Sequence, residues 1–167
     1  MSAVTFVCSF LLQDIPSGEE SARVQCDMNV RHLIMKTQMH DFELYGFIFL
    51  LNSCAWLEKL TIDIDQQKIY EGYEPPYPMD LKKFWDQGLI IYECLRRSLK
   101  VVEVKGLRGT VNELQACNYL IRAASGLEQL KIEVKGGTSE MVETRRAFAR
   151  LLLTVPKASP NLQISIA

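Results

Sequence analysis

The chain has 167 residues, 48% of them hydrophobic, which is enough for one domain with a buried core rather than a disordered segment. Its 19 basic and 20 acidic residues leave a formal charge of -1, so it lacks the cationic excess that would neutralise a run of phosphates, and nucleic acid is not expected as a partner. Cys8, Cys26, Cys54, Cys94 and Cys117 are odd in number and widely spaced, with no Cys-x-x-Cys pair and no His cluster beside them. That pattern argues against a disulfide framework or a zinc centre and for a reducing, intracellular location in nucleus or cytoplasm.

Residues 1–28 form a lead without a clear assignment. The stretch from Ala3 to Leu12 is apolar, but no Lys or Arg precedes it and it is too short to span a membrane. A signal peptide and a membrane partner are therefore not expected, and the stretch reads as a buried strand or helix of a larger parent domain, the alternatives for 1–28 being a truncated repeat or an artefactual start of a truncated chain.

From residue 29 onward the chain repeats itself. Leu57-Glu58-Lys59-Leu60-Thr61-Ile62-Asp63-Ile64 is matched by Leu127-Glu128-Gln129-Leu130-Lys131-Ile132-Glu133-Val134. The same frame takes Leu99, Val102 and Val104, more loosely Val30, Leu33 and Met35, and finally Leu162, Ile164 and Ile166. Centred on Leu33, Leu60, Val102, Leu130 and Leu162, the steps are about 27 to 32 residues with one longer step, which is leucine-rich-repeat length. The long step holds an insertion at 65–80 carrying Pro75, Pro76 and Pro78 together with Tyr70, Tyr73 and Tyr77.

Helical marks precede each strand. Asp41 opens one through Cys54, with an apolar run from Phe47 to Leu51. A second is expected from Leu81 to Arg97, with Phe84, Trp85, Tyr92 and Leu95 inward and Gly88 weakening its middle. Thr110 with Glu113 three residues later makes a capping box, followed by the stripe Leu114, Cys117, Leu120, Ile121 and Ala124, with Gly126 as a left-handed close. The last runs from Glu140 to Thr154, with Phe148, Leu151 and Leu152 toward the core, and Pro156 ends it.

Strands alternating with helices at this spacing cannot form hairpins, so five parallel strands with helical crossovers are expected. The fold class is α/β: a leucine-rich-repeat solenoid arc with a parallel sheet on its concave face and helices on its convex face. Residues 29–135 carry the repeats and 136–167 a closing repeat.

Leu50 to Ile64 and Ser98 to Val134 resemble the repeat region of plant F-box/FBD/LRR proteins. Leu99 to Gly109, then Asn112-Glu113-Leu114, then Leu127-Glu128-Gln129-Leu130 follow that family's order of strand, glycine turn, helix and strand. Ala158-Ser159-Pro160-Asn161-Leu162-Gln163-Ile164 looks like the close of its FBD-type tail. The resemblance implies a protein-interaction module akin to the substrate-recognition region of an SCF-type E3 ubiquitin ligase subunit, with a protein partner of unknown identity. Residues 1–40 show no Leu-Pro-rich F-box opening, so a Skp-type adaptor is not expected to bind, and a truncated structural fragment without independent function is the competing reading.

Side chains alternate across a strand, so the positions between ladder residues form the binding surface of such a sheet. They are His32 and Ile34, Lys59 and Thr61, Val101 and Glu103, Gln129 and Lys131, and Asn161 and Gln163. The alternative is that they are merely solvated. Tyr70, Tyr73 and Tyr77 form a second candidate contact loop, which could equally pack back on its own strands. No catalytic residue, cofactor site or metal site is expected. The cysteines lack a neighbouring base, and Gly106, Gly109, Gly136 and Gly137 match no phosphate-binding motif and read as turns after strands. Arg96, Arg97, Arg145 and Arg146 read as solvated helix faces.

Overall fold

A computed structural model describes residues 3–7, 29–64, 85 and 90–167. Six strands, β1 (Val4–Val7), β2 (His32–Thr37), β3 (Lys59–Ile64), β4 (Val101–Leu107), β5 (Gln129–Val134) and β6 (Gln163–Ile166), form one sheet in sequence order. Every neighbouring pair is parallel. Between them lie a 3-10 turn at Asp41–Glu43 leading into α1 (Leu44–Ser53), then α2 (Glu93–Arg97), α3 (Val111–Ala123) and α4 (Ser139–Arg150), the last followed by a 3-10 turn at Leu151–Thr154.

The core is the repeat made visible. Leu33, Leu60, Val102, Leu130 and Ile164 stand in register across five strands, and Met35, Ile62, Val104, Ile132 and Ile166 form the next row. These rows pack against Phe47, Leu50 and Leu51 of α1, Cys94 and Leu95 of α2, and Ala116, Cys117, Leu120 and Ile121 of α3. Each fully buried Leu or Ile contributes about 1.5–3 kcal/mol, so the aligned rows dominate the stability of the parallel arrangement.

The capping box at α3 forms as its sequence implies. Thr110 accepts from the Glu113 amide, and Cys117, Leu120, Ile121 and Ala124 are buried, with Leu114 half-buried. Asp41 likewise opens a helical segment that runs to Ser53, its first turn 3-10.

Several expectations are corrected. Among the described residues the sheet has six strands rather than five, because Val4–Val7, within the stretch read as a strand or helix, pairs with β2 in the register Val4 opposite Leu33. Of the helix expected over 81–97, Trp85 and Glu93–Arg97 are helical, with Trp85, Tyr92 and Leu95 toward the core as expected, whereas residues 90–92 are not helical; residues 81–84 and 86–89 lie outside the described residues. Tyr92 is extended, and the Ile90 carbonyl accepts from the Tyr119 hydroxyl at 2.7 Å instead of from a helical amide. Gly126 does not close α3 in a left-handed conformation; among the described residues the glycines with positive φ are Gly106 and Gly109.

Gly106 lies inside β4 rather than in a turn after it. It is the extra residue where the register slips between Lys105 and Leu107, and a side chain there would sit 2.7 Å from the Ile64 carbonyl oxygen. The bulge turns Leu107 into the core.

At the end of α4 and in the 3-10 turn after it, Leu152 is buried as expected, but Phe148 and Leu151 are 43% and 59% exposed. Ala149 and Leu152, three apart, make the inward contact, and the flanking positions lie about 100° round the helix from each. At the end of the chain the middle ladder position belongs to Ile164, opposite Leu130, and not to Leu162. Leu162 is buried one step earlier, in a turn where its amide donates to Ser159, and the first sheet bond of β6 runs from the Gln163 amide to Glu128.

Candidate protein-interaction face

The face opposite the buried rows carries the residues that alternate with them. Register places His32, Lys59, Val101, Gln129 and Gln163 side by side in one row across β2 to β6. Ile34, Thr61, Glu103, Lys131 and Ser165 form the next. Nine of the ten expected side-chain positions are thus brought into two adjacent rows. Asn161 is not among them: it is exposed in the turn before β6, and Ser165 stands opposite Lys131, a consequence of the two-residue register difference at the last strand. Tyr70, Tyr73 and Tyr77 lie outside the described residues.

These side chains are already engaged with one another. His32 Nε2 is 3.0 Å from Thr61 Oγ1, joining β2 to β3, and Thr61 is only 3% exposed. Lys59 Nζ lies 3.0 Å from Glu103 Oε2, and Lys131 Nζ lies 3.7 Å from Glu103 Oε1, so one carboxylate joins β3, β4 and β5. Burial works to raise the Glu103 carboxyl, but the Lys59 hydrogen bond and the Lys59, Lys131 and Lys105 charges outweigh it and hold it below the usual carboxylate range. Burial and then the Lys59 charge push the His32 imidazole below its ordinary value, against the pull of Glu103. The histidine is therefore neutral at neutral pH. The partly covered pairs are each worth about 0–1 kcal/mol in stability, so their main effect is to hold the side chains in place.

A further charged row precedes the strands. Arg31 pairs with Glu58, and Lys100 Nζ is 3.3 Å from Glu128 Oε1. The reason is a backbone device repeated from strand to strand. The Arg31 carbonyl accepts from the amides of Glu58 and Lys59, that of Glu58 from Lys100 and Val101, and that of Lys100 from Glu128 and Gln129. Sequence reasoning stopped short of this row and of Lys36, Asp63, Lys105 and Glu133 on the far side of the face. The same two-residue period, continued in both directions, would have reached the latter.

The cysteines among the described residues lie in the core rather than on this face. Cys54, Cys94 and Cys117 are buried, and burial pushes their thiols up to about 11, about 12 and about 12. They stay protonated at neutral pH and act as small apolar side chains. His40 lies away from them, its Nε2 2.9 Å from Gln38 Oε1. Among the described residues, no helix is long and apolar enough to cross a membrane.

The family model described as FBD matches residues 90–132, a stretch that takes in α2, β4, the Gly109 turn, α3 and most of β5. The match lies before 136–167, where the tail-like ending stands. An Arabidopsis thaliana protein named as an F-box/LRR-repeat protein is 38% identical over 96% of this chain and 34% of its own length. An Arabidopsis thaliana F-box protein is 35% identical over 79% of this chain and 28% of its own length. Another Arabidopsis thaliana protein named as F-box/LRR-repeat is 32% identical over 72% of this chain and 25% of its own length. No solved structure matches. The chain thus spans about a quarter to a third of the curated relatives it matches. Residues 90–132 thus match the FBD model, and the chain is similar in sequence to Arabidopsis thaliana proteins named as F-box/LRR-repeat proteins.

Proposed function

We propose that the open face of the sheet binds a protein, and that the chain acts as the substrate-recognition part of an F-box-type subunit of an SCF ubiquitin ligase. The sheet is read as the concave side of a repeat arc. The observation that carries the reading is the two aligned rows of polar and half-buried apolar side chains, His32 to Gln163 and Ile34 to Ser165, held in register across five strands. Mixed charge with Ile34 and Val101 between suits a protein better than a polyanion. Kinship with F-box/LRR-repeat proteins supports the ligase context, and recruitment of a Skp-type adaptor is assigned to no residue of this chain.

The test is quantitative co-purification from plant extract with the chain and with the triple reversal Lys59→Glu, Glu103→Lys, Lys131→Glu. Proteins retained by the first and lost with the second are the expected result. An unchanged set of retained proteins refutes the open-face reading.

A second reading is a structural fragment without independent function. The exposed apolar side chains Phe148, Leu151 and Leu153 favour it, because such surface promotes self-association when left uncovered. A monodisperse, cooperatively melting monomer in solution would rule against it.

A further inference from the structure

One charged row on the open face is left without ion pairs. Lys36, Asp63, Lys105 and Glu133 stand directly opposite one another on β2, β3, β4 and β5. Their signs alternate along the row, and Lys36, Lys105 and Glu133 are exposed, with Asp63 half-exposed. The other charged groups of the face are closed on themselves: Arg31 with Glu58, Lys100 with Glu128, and Lys59 and Lys131 with Glu103. Among the described residues no ion pair of 4.0 Å or less involves Lys36, Asp63, Lys105 or Glu133. Their donors and acceptors are therefore available to a ligand, and the half-buried Ile34 lies in the adjacent row on β2, with the half-buried Val101 one row further on β4.

The spacing of the row discriminates between possible ligands. Adjacent strands are about 4.8 Å apart, so the four charges stand at roughly 0, 5, 10 and 14 Å along a line across the sheet. On an α-helix, positions i, i+3, i+7 and i+10 share one stripe and stand at about 0, 4.5, 10.5 and 15 Å. An extended peptide laid the same way presents same-side residues about every 6.7 Å, and its fourth falls near 20 Å, out of step by more than a full strand. A helix keeps each contact within about 1 Å of register.

We propose that the open face docks an amphipathic helix of a protein partner, laid across β2 to β5, with an acid, a base, an acid and a base along one stripe opposite Lys36, Asp63, Lys105 and Glu133. The proposal rests on the open face being the binding face and specifies what lies on it. Alternation also gives specificity, because a helix with its charges in blocks sets like charge against like at two of the four positions.

The test uses the whole 167-residue chain and labelled, lactam-bridged helical peptides read by fluorescence anisotropy at low salt, where surface charge is least screened. One peptide carries Glu, Lys, Glu, Lys at the four stripe positions with leucines beside them. A block isomer carries Glu, Glu, Lys, Lys, and a third has the alternating charges with prolines that forbid a helix. The alternating helix is expected to bind about tenfold more tightly than either control. The variant K36E/K105E, whose unchanged melting verifies that it folds, is expected to lose that preference and to favour a helix with four lysines. Equal affinity for alternating and block helices, equal affinity for the proline peptide, or an unaltered preference in K36E/K105E overturns the proposal. If the peptides fail while the Lys59, Glu103, Lys131 reversal still abolishes protein capture, the binding face stands and only its helical occupant falls.

Discussion

Arg108 Nη2 donates to the carbonyl oxygen of Gln38 over 2.8 Å, although β3 lies between the strands that end beside these two residues. Asn112 Nδ2 joins the same contact, donating to the Met39 carbonyl at 3.0 Å and to Asp41 Oδ1 at 2.8 Å. The turns that leave β2 and β4 are thus tied directly together. Each is built round a buried glutamate. Glu43 Oε2 accepts from the amides of Gln38 and His40 and from the Thr37 hydroxyl, and Glu113 accepts from the amides of Arg108, Gly109 and Thr110. Met39 and Gly109, four residues before their glutamates, both take positive φ.

The clamp predicts large effects from polar residues far from the open face. Asn112→Ala leaves the buried Met39 carbonyl without its donor and should cost about 1–3 kcal/mol, read from urea denaturation. Glu113→Ala, which strands three backbone amides, should cost more than Asn112→Ala. Equal stability of either variant and the parent chain would contradict this account of the turns.

Gly106→Ala should destabilise by about 1–3 kcal/mol, since φ is +76° and the added carbon meets the Ile64 carbonyl. Gly136→Ala is the control, with nothing within 4 Å of the added carbon. Thermal melting of the two variants side by side checks the difference, which vanishes if the bulge in β4 is absent.

Two glutamates should give the acid limb of stability opposite slopes. Glu103 is held below the usual range, so its contribution is present above the unfolded value and is lost as pH falls through the lower, folded one. Glu103→Gln should flatten that loss. Burial raises Glu43 despite its hydrogen bonds from His40, Thr37 and Gln38, so the native state binds its proton first, and Glu43 adds stability as pH falls from the folded value toward the unfolded one. Glu43→Gln should remove that gain. Stability measured against pH for the parent and both variants decides, and the same change of slope in both variants would contradict the assignment.

Lys59→Ala and Lys131→Ala should each change stability by less than about 1 kcal/mol, because both ammonium groups reach partly exposed pairs. That tolerance makes them useful for binding experiments. A loss well beyond this size, seen in chemical denaturation, would mean the network is structural before it is anything else.

The residues behind these outcomes were legible to different degrees. The two-residue alternation in Leu60-Thr61-Ile62 and Leu130-Lys131-Ile132 already determined which side chains point inward, and the repeat length required a crossover and hence parallel neighbours. The capping box at Thr110 and Glu113 is likewise local, because its partners are within three residues. Residues Ile164 and Leu162 show the limit: both are apolar, and only the turn at Ser159 decides which of them stands opposite Leu130.

By itself the sequence determined what short-range periodicity and local hydrogen bonding can carry: strands, most helix starts, the inner rows and nine of the ten open-face positions. Tertiary structure alone decided that Val4–Val7 is a strand paired with β2 rather than a helix, and decided the outward turn of Phe148 and Leu151, the bulge at Gly106 and the link between Arg108 and Gln38. Each of these depends on what another part of the chain places alongside, such as the free side of β2, the Ile64 carbonyl or the turn after β2. Contacts between distant segments leave no period in the sequence, so they become visible only when the strands are set side by side.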